Sequence, residues 1–452
     1  MGGGSAMTTP PDGAFGAFAR KIDPDRRPPM RPDNTPDDDD RVEIGPTPLA
    51  YAEWAEAGIA CPDLPRMRAW RLKRLTEHLI ARDLAGVLLY DPLSIRYATD
   101  TTNMQLWAAH NPFRACLVTA DGAITLFEYA GYDFLSAHNP LVTEVRSGAG
   151  FFYFDSGDRA EEKAASFAAE VDSILRARVG PSNRRLAVDK ILADGLRALE
   201  RRGLEILNGE EVMERCRAVK GPDEIAAMRC AVHACERAVA EMRRQAAPGM
   251  TENDVWAVLH AENIRRGGEW IETRILSSGP RTNPWFQECG PRVIRNDELL
   301  AWDSDLIGVY GFCCDISRTW FLGDGEPTAE QRRLHAIARD FIDSNQTLVK
   351  PGATFRDLTF GGRQLAPEFL KNRYCRFHGV GLCDEWPLIL QPVDWEAKGY
   401  DGVLEPGMAL CVEVYIGAEG GRDGIKLEDQ LIVTETGFEN LTRCPFDEKL
   451  SA

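Results

Sequence analysis

The stretch Ala301-Trp-Asp303-Ser-Asp305-Leu-Ile-Gly-Val-Tyr-Gly-Phe-Cys-Cys-Asp315 places three carboxylates in an otherwise apolar segment. Side chains two apart on a β-strand point to the same side, so the pattern predicts that Asp303 and Asp305 share one strand and face one point. Asp315 follows beyond a turn marked by glycine. Burying carboxylates is costly unless positive charge lies among them, and the stretch therefore predicts a cation site.

Three further candidate ligands follow, each inside an apolar run: His378, Glu413 and Glu428. His378 or Glu428 alone is more often a structural residue, whereas Glu413 interrupts a strand that is apolar around it. The ordered set favours a metal site. Carboxylates with one imidazole, and no thiolate at a matching spacing, suit a divalent transition ion such as iron, manganese, zinc or cobalt. The surplus of carboxylates over imidazole favours two ions bridged by carboxylates.

Composition limits the classes of partner. The chain has 452 residues and a formal net charge of −17. Nucleic-acid binding needs clustered Lys and Arg, so no nucleic-acid partner is expected. The sequence has neither a signal-peptide segment nor an apolar run approaching the roughly 18 residues of a membrane span, so no membrane partner is expected. The twelve cysteines form no CxxC pair, which favours a reducing compartment and a cytoplasmic protein.

The length favours two domains and a tail. Residues 1–48 are rich in Pro and Asp and predict an extended N-terminal arm, whose first six residues are typical of an added leader. Residues 49–217 alternate helical and strand patterns and predict a smaller α/β domain. Residues 218–452 carry all the candidate ligands and predict the catalytic domain, which opens with a helix at Pro222.

The candidate ligands resemble those of a known fold. The order of Asp305, Asp315, His378, Glu413 and Glu428 is similar to that in the pita-bread fold of methionine aminopeptidases, prolidases and creatinases. The surrounding motifs agree, and the resemblance covers about residues 65–445. It implies an α+β chain with a pita-bread C-terminal domain preceded by a smaller creatinase-like α/β domain.

Two departures separate the chain from the peptidases of that family. Residues 278–288 contain no histidine, and Asp384 stands where a second substrate-handling histidine would fall. Asp303 adds an acid two residues before the first ligand. With these features the chain resembles the dimethylsulfoniopropionate lyases of the DddP type. The resemblance implies an iron-containing homodimer that forms dimethyl sulfide and acrylate, with Asp384 as the base for β-elimination.

The implied substrate is a small zwitterionic sulfonium carboxylate, whose cation favours aromatic faces. Four aromatic residues lie near the motifs and are the predicted substrate-binding side chains: Trp386, Tyr374, Trp285 and Phe286. Trp386, beside Asp384, is the favoured one. In this family an N-terminal loop can close the partner's active site, so a minor contribution is expected from Trp107 and His110.

Two other functions stay open at the level of sequence. One is a dinuclear metallopeptidase acting on Xaa-Pro peptides with an unusual oxyanion arrangement. The other is a non-enzymatic pita-bread binding protein, a class that tends to lose metal ligands. The residues alone support only a small carboxylate substrate that lacks a scissile amide.

Overall fold

The N-terminal half is a mixed sheet covered by helices. The computed structural model describes residues 44–451, so the predicted arm lies outside the described residues except for 44–48. Six strands form a sheet in the order β4-β3-β2-β1-β5-β6. The strands are β1 Gly86–Leu89, β2 Ala115–Thr119, β3 Ile124–Phe127, β4 Val142–Arg146, β5 Arg185–Val188 and β6 Glu205–Asn208. Strands β2 and β3 form the hairpin that Asp121-Gly122 predicted.

Eight helices belong to this half of the described chain: α1 Pro48–Ala57, α2 Leu64–Ala81, α3 Pro92–Thr99, α4 Gln105–His110, α5 Tyr153–Ser156, α6 Ala160–Val179, α7 Ala193–Arg201 and α8 Gly209–Ala218. The first of them packs on the C-terminal half, although the sequence-based boundary placed it in the N-terminal domain. The Trp54 indole of α1 donates a hydrogen bond to the Cys230 carbonyl across this contact. Helix α1 is therefore attached to the C-terminal half.

The C-terminal half is built on two sheets. Its strands are β7 Trp270–Ile271, β8 Leu276–Ser278, β9 Glu298–Asp303, β10 Leu306–Ile307, β11 Cys313–Cys314, β12 Ser317–Leu322, β13 Phe377–Val380, β14 Asp384–Ile389, β15 Ala409–Ile416, β16 Ile425–Val433 and β17 Phe438–Asn440. A small sheet has the order β11-β10-β7. The large sheet has the order β14-β13-β15-β16-β12-β9-β8, with β17 beside β16.

Helices cover the large sheet: α9 Pro222–Gln245, α10 Glu252–Arg265, α11 Ala329–Asn345, α12 Phe355–Phe360, α13 Trp395–Lys398 and α14 Glu448–Ser451. Their starts follow the sequence signals. Pro222 occupies the first turn of α9, and Thr328 and Gln331 form the predicted capping box of α11. Across residues 44–451, no helix combines the length and apolar character needed to cross a membrane.

Strand alternation separates the core from the site. Leu410, Val412 and Val414 of β15 pack in the same core as α11. Because side chains alternate along a strand, Cys411 and Glu413 point to the opposite face. On β16, Glu428 lies directly across from Glu413 in the antiparallel register. The fully buried centre of the sheet therefore presents two carboxylates to one side.

The prediction that Asp303 and Asp305 share one strand is wrong. Strand β9 ends at Asp303, which pairs with Ser317 of β12. Asp305 has a φ of 35°, so the chain turns sharply there before β10 joins the small sheet. The two carboxylates meet because the chain passes from one sheet to the other, and not through strand periodicity.

Candidate metal centre and substrate cavity

The six predicted ligands come from separate elements and meet around His378 of β13. The Nε2 atom of His378 lies 3.1 Å from Glu428 Oε1 and 3.3 Å from Asp315 Oδ2. It also lies 3.5 Å from Glu413 Oε1. His378 itself is 4% exposed, and the three carboxylates around it are more deeply buried still. One imidazole edge is therefore surrounded by three carboxylates: Glu413 of β15, Glu428 of β16 and Asp315 from the connection between β11 and β12.

The donor atoms divide into two groups that share one residue. One group holds Asp303, Asp305 and Asp315; the other holds Asp315, His378, Cys411 and Glu428. Within each group the potential ligand atoms lie within 4.8 Å of one another. Asp303 Oδ1 and Asp315 Oδ1 are buried and have no hydrogen-bond partner among the described residues. Unpaired buried carboxylate oxygens are costly, so this donor set fits divalent metal ions.

Two residues of the centre were missed from the sequence. Cys411 joins the second group, although no thiol was expected there. Its position two residues before Glu413 on a buried strand was the available signal. Lys426 likewise lies two residues before Glu428 on β16. The spacing of Lys426 from Glu428 was therefore the available signal for this residue.

The Lys426 ammonium binds the outer oxygens of the carboxylates. Its Nζ lies 2.9 Å from Asp303 Oδ2, 2.9 Å from Glu413 Oε2 and 2.6 Å from Glu428 Oε2. The Ser317 hydroxyl is 2.9 Å away and also donates to Glu428 Oε2. One oxygen of Glu413 and one of Glu428 are thus held by Lys426, while the other oxygen of each faces His378.

The crowding of negative charge changes the acidity of these groups. Burial, followed by the charges of Glu428 and Asp303, raises the pKa of Asp315 well above its usual value. Burial and the charge of Asp303 do the same to the pKa of Asp305. Burial would also raise the pKa of Asp303, but Lys426 outweighs it and lowers that pKa. One ammonium therefore does not balance the carboxylates, and further positive charge would stabilise them.

Asp384 approaches the centre from a tight hairpin between β13 and β14. Val380 pairs with Asp384, and the intervening turn is closed by the Gly381 N–H donating to the Cys383 carbonyl. The carboxylate lies 3.7 Å from His378 Nδ1, and its side chain is 55% exposed. Burial, with the charges of Glu428 and Asp303, raises the pKa of Asp384, although His378 opposes the shift. Asp384 is thus an accessible carboxylate at the edge of the centre.

A cavity of about 270 Å³ opens at Asp384, and it is lined by two of the predicted aromatic residues, Tyr374 and Trp386. Tyr374 is 41% exposed and makes an edge-to-face contact with Phe286, with ring centroids 5.1 Å apart. Phe286 is itself exposed. The two rings form an accessible aromatic corner near the acidic centre.

The other two aromatic predictions need correction. One face of Trp386 is covered by the Arg215 guanidinium, 3.8 Å from the ring centroid, so that face cannot receive a substrate cation. Trp285 is buried and stacked on Tyr415, and it does not line the cavity of Asp384. Its ring centroid lies 5.9 Å from Lys426 Nζ. Arg215 is distant in sequence from Trp386, which is why the pattern did not reveal it.

Histidine placement agrees with the sequence. Within residues 44–451, His378 is the one histidine that lines this cavity or joins either ligand group. His335 is buried on α11 against Phe446. His110 lines a separate cavity between the two halves, and Trp107 packs on Phe113. In this single chain neither Trp107 nor His110 reaches the cavity of Asp384.

Comparisons with known proteins identify the two halves. Residues 71–219 match the creatinase/prolidase N-terminal domain, and residues 226–435 match metallopeptidase family M24. The Xaa-Pro dipeptidase from Bacillus anthracis superposes with a TM-score of 0.66 at 21% identity, over 83% of this chain and 98% of that one. Dipeptidase PepE from Mycobacterium ulcerans gives 0.66 at 23% identity, over 86% and 98%. The matches confirm the predicted fold class.

Sequence comparison gives much higher identity to another group of proteins. The chain is 57% identical over 437 residues to the dimethylsulfoniopropionate lyase DddP of Roseovarius nubinhibens, covering 95% of this chain and 98% of that protein. It is 55% identical to the protein of the same name from Roseobacter denitrificans, covering 95% and 97%. The probable dipeptidase PepE of Mycobacterium bovis is 30% identical over only 52% of this chain.

Proposed function

This chain belongs to the DddP dimethylsulfoniopropionate lyases within metallopeptidase family M24, and from that membership we propose that it converts dimethylsulfoniopropionate to dimethyl sulfide and acrylate. The reaction class is carbon–sulfur lysis by β-elimination. The observation that carries the proposal at the level of residues is the position of Asp384. An exposed carboxylate stands beside the acidic centre, and within residues 44–451 His378 is the one histidine that lines its cavity.

The residues that would hold divalent metal are Asp303, Asp305, Asp315, His378, Glu413 and Glu428. Asp315 belongs to both donor groups and would join two ions. Iron is the favoured metal because the resemblance to the DddP lyases implies it. Manganese, zinc and cobalt are alternatives, because carboxylates with one imidazole accept all four ions. When bound, such ions supply Lewis acidity toward the substrate carboxylate and make the neighbouring C–H more acidic.

Asp384 is the proposed general base. Its carboxylate takes the proton from the carbon next to the substrate carboxylate. The electron pair of that C–H bond forms the carbon–carbon double bond, while the carbon–sulfur bond breaks and its pair leaves with sulfur. Dimethyl sulfide departs as a neutral molecule, so no acid is needed for the leaving group.

The sulfonium group is proposed to bind at the aromatic corner formed by Tyr374 and Phe286. A cation over such a face gains about 0.5–2 kcal/mol per ring. Both rings are exposed. Tyr374 lines the cavity of Asp384, and Phe286 contacts Tyr374. Trp386 offers only the face that Arg215 leaves uncovered, so its contribution is secondary. Trp285 is buried beside Lys426 and does not line the cavity.

The peptidase alternative has weaker support. Hydrolysis of an Xaa-Pro bond needs donors for the tetrahedral oxyanion, and Asp384 occupies the place of one of them with an acceptor. The relatives with peptidase names cover less of this chain at lower identity. A non-enzymatic binding protein is disfavoured because all the ligand positions are filled with ligand residues.

We also propose a cytoplasmic homodimer. All twelve cysteines are free thiols, which supports a reducing compartment. A continuous chain of ring contacts joins Trp107 to two exposed ends of the N-terminal domain, through Phe152 to Phe154 and through Phe113 and Tyr129 to Phe134. Phe154 is 82% exposed. An aromatic surface of this kind is typical of a protein interface, and a second copy is the proposed partner.

The proposal is tested by Asp384→Asn in metal-loaded protein. The amide keeps the shape of the side chain but cannot accept the proton, so kcat for dimethyl sulfide release should fall by about 10²- to 10⁴-fold. Glu396→Gln is the matched control, because Glu396 is an exposed acid outside the cavity. A D384N protein that retains bound metal and full activity would show that Asp384 is not the base.

A further inference from the structure

The residue after Asp384 is a buried acid held by two cations. Glu385 Oε2 lies 2.9 Å from Lys220 Nζ, and Glu385 Oε1 lies 3.0 Å from Arg217 Nε. The Glu385 side chain is fully buried, and those of Arg217 and Lys220 are nearly so. Burial would raise the pKa of Glu385, but the charges of Lys220 and Arg217 outweigh it and hold that pKa below its usual value. Glu385 is therefore an ionised anchor inside the protein.

The same carboxylate closes the hairpin that carries Asp384. Glu385 Oε1 accepts a hydrogen bond of 2.9 Å from the Leu382 N–H at the tip of the turn. Gly381 lies so close that a Cβ there would collide with the Glu385 carboxylate. The turn and the Glu385 side chain thus fit against each other with no spare volume. A movement of Glu385 would move the backbone on both sides of Asp384.

The two cations lie at the junction between the two halves. Arg217 belongs to α8, the last helix of the N-terminal half, where it also donates to the Ser94 hydroxyl. Lys220 lies in the short connection to α9, and its N–H donates to the Gly407 carbonyl just before β15. The Trp386 N–H donates to Glu214 of α8 as well. Strand β14 is therefore fastened to α8 at two successive residues, Glu385 and Trp386.

We propose that Glu385 is a positioning residue for the elimination, which sets the place of the Asp384 carboxylate through its ion pairs with Arg217 and Lys220. This inference rests on the proposed function and extends it, because it makes the junction with the N-terminal half part of the proton-transfer apparatus. The Glu385 side chain is fully buried, so the proposed role is indirect. Glu385 acts by fixing the hairpin, so that Asp384 stays beside His378 while its side chain remains accessible.

The expected size of the effect follows from geometry. A displacement of about 1 Å in a reacting group can lower the rate about 100-fold. Glu385→Gln keeps the length of the side chain and an oxygen for the Leu382 N–H, but loses the charge that Lys220 and Arg217 share. We expect kcat to fall by about 10- to 100-fold in this variant. The metal ligands are unchanged, so the KM for substrate and the metal content should stay within about twofold of wild type.

The test measures dimethyl sulfide release, KM and bound metal for wild type, E385Q and a junction control. Asp223→Asn is that control, because Asp223 is a buried acid paired with Arg66 across the same junction, far in sequence from the hairpin. D223N should keep the wild-type kcat even where its unfolding midpoint falls as much as that of E385Q. A purely structural role for Glu385 predicts instead that D223N and E385Q lose the same amount of kcat when their unfolding midpoints fall equally.

Lys220→Met is the second variant, for the case in which E385Q does not fold. It leaves Arg217 in place, so a smaller loss of kcat at unchanged KM is expected. The positioning role is overturned by a folded E385Q or K220M protein with wild-type kcat, or with a loss explained by missing metal. Failure of the proposed function has a different signature, since wild type and D223N would then also release no dimethyl sulfide.

Discussion

Lys426 provides the sharpest test of how the acidic centre is balanced. Replacing it with methionine keeps the aliphatic stem and removes an ammonium that is 1% exposed and contacts three carboxylates at 2.6–2.9 Å. Breaking a buried ion pair by removing one partner costs roughly 3–5 kcal/mol, because the remaining charge is left without compensation. We expect a loss of this size in the free energy of unfolding of metal-free K426M near neutral pH.

Proton uptake sets the direction of the pH dependence. Without the ammonium, Asp303 and Glu428 can avoid the cost of burial by binding protons. The difference between K426M and wild type should therefore shrink as the pH falls and the carboxyl groups become neutral. Bound divalent ions supply positive charge in another way, so the difference should also be smaller in metal-loaded protein.

The measurement is urea unfolding followed by tryptophan fluorescence, on chelator-treated and metal-loaded protein. Lys449→Met is the control, because the Lys449 ammonium donates to the carbonyls of Gly323 and Gly325 and pairs with no carboxylate in the hydrogen bonds of the described chain. Lys426→Arg keeps the charge and should recover part of the stability. If metal-free K426M unfolds within about 0.5 kcal/mol of wild type, the assigned balance of charge is wrong.

Three further outcomes are expected. Asp315→Asn should bind divalent metal at least about 10-fold more weakly than wild type by metal analysis after dialysis, since Asp315 joins both donor groups, whereas the exposed-site variant Asp324→Asn should not. Burial lowers the pKa of His335 to about 4, so the unfolded chain binds a proton before the folded protein does as the pH falls from 6.5. Between pH 6.5 and 4, wild type should therefore lose up to about 3 kcal/mol of unfolding free energy relative to His335→Gln. Urea midpoints of the two proteins that change equally with pH would refute this. Phe154→Ser should shift the protein from dimer to monomer in light scattering, and an unchanged mass would exclude the aromatic surface as the interface.

The sequence indicated which candidate ligands lie close together because its signal is local. His378, Glu413 and Glu428 each interrupt an apolar strand, and the structure brings them together with Asp315. Asp384 was predicted correctly to lie near His378, because the short hairpin between them leaves little choice of geometry. Strand alternation and loop length are sufficient for inferences of this kind.

The features that the sequence did not predict depend on contacts between segments that are distant in sequence. Arg215 covers one face of Trp386 from α8, and nothing near Trp386 in sequence indicates this. The relation between Asp303 and Asp305 was misjudged because the chain leaves one sheet and enters another at Asp305. Lys426 was overlooked although its spacing from Glu428 was informative. Tertiary packing, rather than local pattern, decides which of these side chains meet the substrate.

The most direct test of the central claim is headspace detection of dimethyl sulfide after dimethylsulfoniopropionate is added to purified metal-loaded protein. A chelator-stripped sample and an Xaa-Pro dipeptide assay are run beside it. The account predicts dimethyl sulfide and acrylate in equal amounts, loss of both on stripping and recovery when metal is returned. Absence of dimethyl sulfide from protein with verified bound metal, together with turnover of the dipeptide, would contradict it.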